Sequence, residues 1–112
     1  MIEKILFDYL NAELDVPCCL ERPADCPEAW VLLERTGGSR TNYLSTATVA
    51  VQSYAPSLYG AASLNRTVKA AMERAVDLTN VFSVRLNSDY NYSNQSFKGY
   101  RYQAVFNITY KE

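Results

Sequence analysis

The sequence predicts an α+β fold: a mostly antiparallel sheet of about four strands, built from two β-hairpins, with two α-helices packed on one face. Three observations predict it. Apolar residues recur with helical spacing near the amino terminus and again after Pro56. Alternation with a period of two fills residues 29–54 and 82–110, after each helical stretch. At 112 residues, 48% hydrophobic and 21% charged, the chain has the size and composition of one domain, 1–112, with a single core.

In the first element Ile2, Ile5, Leu6, Tyr9 and Leu10 stand at i, i+3, i+4, i+7 and i+8, which makes one apolar stripe on a helix over 2–14. The stretch "VPCCLERPADCPEAW" holds three of the four prolines. Each removes a backbone donor and fixes φ, so this is predicted to be a surface linker with one short extended piece near 18–22. Next come "AWVLLER" and "YLSTATVAVQSY", strands joined across "TGGSRTN". A register pairing Leu33 with Val49 and Val31 with Val51 gathers these side chains on one face and sets Glu34 opposite Thr48 on the other.

After Pro56, the series Leu58, Ala61, Ala62, Asn65, Val68, Met72, Ala75 and Val76 predicts a second helix over 57–77, with Asn65 as its polar interruption and Gly60 tolerated inside it. In the closing hairpin, Tyr92 opposite Tyr100 sets Tyr90 on Tyr102, Ser88 on Ala104, Leu86 on Phe106, Val84 on Ile108 and Phe82 on Tyr110. The base of this hairpin is then aliphatic core, and its distal half is a ladder of tyrosines closed by "SNQSFKG".

Charge and composition narrow the function. Eleven basic and twelve acidic residues leave a net charge of -1, so no overall field draws the protein to nucleic acid or to an anionic membrane. No apolar run is long enough to cross a membrane, and "MIEKILFDYLNAELD" is unlike a signal peptide, so the chain is expected in the cytoplasm. The sequons at Asn65, Asn91, Asn94 and Asn107 are then plain polar surface. Cys18, Cys19 and Cys26 lack C-x2-C spacing and have no histidine to help them, so no metal is expected. Free thiols are the expected state, although Cys26 could approach Cys18 or Cys19 across a turn. Without histidine, and with no constellation of carboxylates, lysines or thiols, neither catalytic residues nor a cofactor are expected. "TGGSR" reads as a glycine-dependent turn, because a phosphate loop would precede a helix and carry G-x4-G-K.

One stretch tests the nucleic-acid reading directly. "KGYRYQAVF" approaches the strand with which an RRM stacks RNA bases, and Tyr100 and Tyr102 stand at the stacking positions. Parity runs the other way. The face carrying Tyr100 and Tyr102 continues through Ala104, Phe106, Ile108 and Tyr110, whereas Arg101, Gln103, Val105 and Asn107 share the opposite face. Stacking on the tyrosines would put Arg101 and Gln103 in a core and Phe106 and Ile108 in water, so the tyrosine face is the buried one.

Taken together, "MIEKILFDYLNAEL", "PEAWVLLERTGGSR", "TATVAVQSYAPSLYGAASLNRTVKAAM" and "LNSDYNYSNQSFKGYRYQAVFNITY" resemble the small tail-completion proteins encoded in the head-to-tail gene block of tailed bacteriophages and prophages. The likeness covers nearly the whole chain, and proteins of this kind resemble the lambda-type tail terminator. It implies α+β subunits in a homohexameric ring that ends the tail tube, contacts the tail tube protein and receives the head-completion connector. The protein would then be found in the bacterial cytoplasm during assembly and in the tail or neck of the virion. The two hairpin loops are the expected partner contacts, through Gly37, Gly38, Ser39, Arg40, Thr41 and Asn42 in the first, and Tyr90, Tyr92, Asn94, Gln95, Phe97 and Lys98 in the second. A head-completion or minor capsid subunit and a small binding module unrelated to phage are the alternatives.

Overall fold

The computed structural model of the chain describes residues 1–93 and 99–111. Its elements follow in the order α1 (Ile2–Glu13), β1 (Cys18–Cys19), β2 (Trp30–Thr41), β3 (Leu44–Ala55), α2 (Leu58–Arg74) with a single 3-10 turn over Ala75–Asp77, β4 (Val81–Asn91) and β5 (Tyr100–Tyr110). The sheet is mixed and has five strands in the order β1-β2-β3-β5-β4. All neighbours are antiparallel except β1 and β2, which run parallel. The fifth strand is the short extended piece at Cys18. It pairs because the side chain of Asn11 stands in for a strand: Nδ2 donates to the Cys18 carbonyl at 3.1 Å, and the Cys18 N–H donates to Oδ1 at 2.9 Å.

Both helices lie against the same face. Ile2, Leu6, Leu10 and Leu14 from the first helical segment and Val68, Ala71 and Met72 of α2 share one core with Val31, Leu33, Val49, Val51, Ala104, Phe106 and Ile108. The Tyr9 hydroxyl ties the helices together, donating to the Ala71 carbonyl at 2.6 Å. Ser57 caps α2, its Oγ accepting from the Gly60 N–H at 3.0 Å, as an N-cap serine does. The stripe expected on α2 is buried at Ala61, Asn65, Val68, Met72 and Ala75, but Leu58 and Val76 at its ends are exposed. Asn65 is thus a core residue and not polar surface.

The hairpins depart from the expected registers in ways that matter to the surface. In the first, Leu33 pairs with Val51, Val31 with Ser53 and Glu34 with Ala50, two residues away from the expected alignment but with the same parity. "TGGSRTN" is not the connection. Thr36 to Thr41 continue β2, past a bulge between Arg35 and Gly37, to a two-residue turn at Asn42 and Tyr43. Gly38 is needed for close approach and not for a turn, since a Cβ there would stand 2.7 Å from the Thr46 carbonyl oxygen.

In the second hairpin, Leu86 faces Phe106 and Val84 faces Ile108, as the alternation predicts. Bulges at Phe82 and Asn87 then change the rest. Val81, not Phe82, opposes Tyr110, and beyond Leu86 the pairs become Ser88 with Val105, Tyr90 with Gln103 and Asn91 with Tyr102. Each added residue turns the following side chains to the other face. The tyrosine ladder therefore does not form: Tyr90 and Tyr92 lie on the face opposite Tyr100 and Tyr102. Of the tyrosine face of β5, Ala104, Phe106, Ile108 and Tyr110 are buried, Tyr102 is half-buried and Tyr100 is exposed.

Candidate functional site

The sheet face away from the helices carries rows of side chains that run across four strands. The outermost is Trp30–Tyr54–Arg101–Tyr92, and the next is Leu32–Gln52–Gln103–Tyr90. Trp30 and Tyr54 stack with centroids 4.2 Å apart and planes within 2°. The Arg101 guanidinium sits 4.3 Å from the Tyr92 ring and 5.8 Å from that of Tyr54, in cation–π range of both. It also donates to the Tyr92 carbonyl at 2.6 Å and to the Tyr54 hydroxyl at 3.0 Å. In the next row Tyr54 donates to Gln52 Oε1 and Gln52 Nε2 donates to Gln103 Oε1, each at 2.8 Å, while Gln103 Nε2 reaches the Tyr90 hydroxyl. Polar groups that a bare sheet face would leave to water are thus joined into one network.

The proline-rich connection closes one end of this face. Arg22 lies 6.0 Å from the Trp30 ring, and Arg22, Cys26, Trp30, Tyr54, Tyr100 and Arg101 line a cleft of about 200 Å³. Gly99 is held at φ 126°, and a Cβ there would come within 3.0 Å of the Ala55 carbonyl oxygen, so only glycine lets β5 begin at the cleft wall. Tyr90 and Tyr92 belong to this end of the sheet. Asn94, Gln95, Phe97 and Lys98 lie outside the described residues.

Gly37, Gly38, Ser39, Arg40, Thr41 and Asn42 are all exposed, and they lie at the other end of the sheet, where Ser45 pairs with Tyr110. The first loop and the described part of the second, Tyr90 and Tyr92, therefore lie at opposite ends of a molecule whose longest extent is 44 Å. At the tip of the first hairpin Asn42 and Tyr43 have φ of 51° and 69°. Two successive positive φ values are those of a type I′ hairpin turn, in which glycine is the favoured second residue. Here that residue is a tyrosine, 80% exposed. The alternation in "YLSTATVAVQSY" predicts Tyr43 inside a strand. The dipeptide after "SRT" was the available signal, since Asn tolerates positive φ and opens such turns.

The titratable groups have local explanations. Burial, then the neighbouring Cys19, pushes the Cys18 thiol up to about 12. Burial, then the Glu13 carboxylate, raises Tyr9 above its ordinary value, with Arg74 acting in the opposite sense. Cys18, Cys19 and Cys26 are free cysteines. Among the described residues no helix is long and apolar enough to cross a membrane.

Comparison of the chain with protein-family models finds no match, and comparison with curated proteins finds none either.

Proposed function

We propose that this chain is a structural subunit of a ring that ends a bacteriophage tail tube and joins it to the head. The resemblance across nearly the whole sequence supplies the class. The single structural observation that supports it is Tyr43, a large aromatic held at positive φ on the tip of a projecting hairpin and exposed to solvent. A non-glycine residue kept in that conformation costs stability, and such outliers collect where a surface is used. With Tyr90 and Tyr92 at the far end of a 44 Å molecule, one end of each subunit meets the tail tube protein and the other the head-completion connector. Arg40 flanks Tyr43 on the first of these surfaces, and the cleft with Tyr90 and Tyr92 flanks the second.

Mixing the purified protein with the tail tube protein of the same gene block, followed by native mass spectrometry and negative-stain imaging, tests the reading. A closed ring seated on tube ends is expected. Tyr43→Gly should keep the ring but lose the tube. A protein that stays monomeric with the tube protein present would remove the assignment. The reading as a small binding module has one observation in its favour, the cleft at Trp30 and Arg101. It would gain if Arg101→Gln abolished partner capture while Tyr43→Gly left it intact.

A further inference from the structure

The long strands run along the length of the subunit, which leaves the two sheet edges to face sideways. Among the described residues β4 is an edge strand along its whole length, and it holds Phe82 54% and Leu86 51% exposed. The opposite edge is open as well: among the described residues β1 reaches only Val31 and Leu32, so β2 from Leu33 outward pairs on one side alone. Because β2, β3, β5 and β4 alternate in direction, β4 of one copy would meet β2 of a like-oriented copy antiparallel. Open edges of this kind are templates for strand addition.

Resting on the ring reading, we propose that the subunits join laterally by adding the β4 edge of one copy to the outer half of β2 of the next, continuing the sheet around the ring. The occupant is a second copy of this chain, and charge complementarity picks the register. On the face away from the helices, Arg85 of β4 and Glu34 of β2 lie on opposite edges, and neither is in an ion pair among the described residues. Placing Arg85 opposite the next copy's Glu34 sets Leu86 opposite Leu33 and Val84 opposite Arg35. On that helix side β4 and α2 form a groove of about 210 Å³ lined by Lys69, Glu73, Val84, Leu86 and Phe106. Arg35 of the incoming strand then arrives beside Glu73, and the exposed Leu86 is covered by the incoming backbone, Leu33 itself being buried in its own subunit's core.

The same register explains where pairing stops. The next pair would be Asn87 with Leu32, but Leu32 is already bonded by β1. At Asn87 the bulge turns β4 aside. The contact joins two different patches, so it is heterologous, the type that builds a ring when the rotation between neighbours closes, whereas pairing of β4 with β4 would stop at a dimer.

The test is a charge swap read by native mass spectrometry, with circular dichroism to verify folding. Arg85→Glu and Glu34→Arg should each lower the ring-to-monomer ratio at least tenfold, and the double variant should restore it. A second arm places Arg85→Cys with Glu34→Cys in a Cys19→Ser/Cys26→Ser background, where oxidation should give a ladder of covalent multimers. Rings unaffected by either single charge reversal, or a double variant that fails to recover, would overturn the edge contact and leave the ring reading standing. Cross-linking that ends at dimers would replace it with pairing of β4 on β4. A wild-type chain that is monomeric even with the tube protein would remove both.

Discussion

Asp89 on the edge strand β4 accepts a hydrogen bond of 2.6 Å from Nδ2 of Asn65, a residue buried on the inner face of α2. Lys69, one turn along the same helix, completes the arrangement by pairing with the other carboxylate oxygen. The bulge at Asn87 makes this possible, because without the extra residue Asp89 would point to the far side of the sheet. The outer strand is thus latched to the helix by one buried amide and one half-exposed ammonium.

That latch predicts an asymmetry. Asp89→Ala strands the buried Asn65 amide and should destabilise by about 1–3 kcal/mol, whereas Lys69→Ala removes only a partly exposed ion pair and should cost under about 1 kcal/mol. Asn65→Leu with Asp89→Ala should recover part of the loss, since an apolar side chain leaves nothing unpaired. Denaturant melts of the variants decide it, and equal losses for Asp89→Ala and Lys69→Ala would contradict the latch.

On β5 the ranking should follow the two faces. Phe106→Ala empties a core site and should cost about 3–5 kcal/mol. Tyr102→Ala, at a half-buried ring, should cost less. Arg101→Ala should cost about 1–2 kcal/mol, because it deletes charge-assisted hydrogen bonds and a cation–π contact with Tyr92. Arg101→Lys should recover little of this, since an ammonium cannot both stack on a ring and keep the guanidinium's fork of donors. Thermal melts in which lysine restores full stability would show that charge alone matters there.

Tyr43→Gly is expected to stabilise the isolated chain. Glycine occupies the second position of a type I′ turn without the steric cost that a side chain carries at φ 69°. A gain of about 0.5–1 kcal/mol is expected in chemical unfolding. A loss of stability would mean that the exposed ring is held by the fold itself and not for a partner.

The Cys18 thiol sets a pH dependence. Its value in the folded protein is raised from the 9.0 of an open thiol to about 12, so folding favours the protonated form. The stability this contributes is fully present below about pH 9, declines above it and is lost as pH rises through the folded value. Unfolding midpoints compared between wild type and Cys18→Ala should diverge in that alkaline window and run parallel below it. Alkylation at pH 8 followed by peptide mapping should label the exposed Cys26 well before Cys18. Equal labelling rates would deny the burial on which the shift depends.

The order of the two helices and two hairpins, and the inward side of α1, α2, β2, β3 and β5, can be read from the sequence alone. Ile2, Leu6 and Leu10 on α1 and Ala104, Phe106 and Ile108 on β5 are legible because helix and strand periods are local properties that only apolar burial can satisfy together. Even the cleft left a trace, in Trp30 and Tyr54 at the ends of two strands of matching parity. Which residue stands opposite which, and therefore the surface, depends on how the strands pair in three dimensions. A bulge adds one residue and inverts the alternation beyond it, and "FSVRLNSDY" has too little apolar pattern to reveal two of them. The turn at Asn42 and Tyr43 was hidden because strand alternation runs straight into it, so its position depends on how β2 docks on β3. The roles of Asp89, Tyr90 and Tyr92 follow from such one-residue shifts, since each reverses the face on which every later side chain emerges until pairing ends.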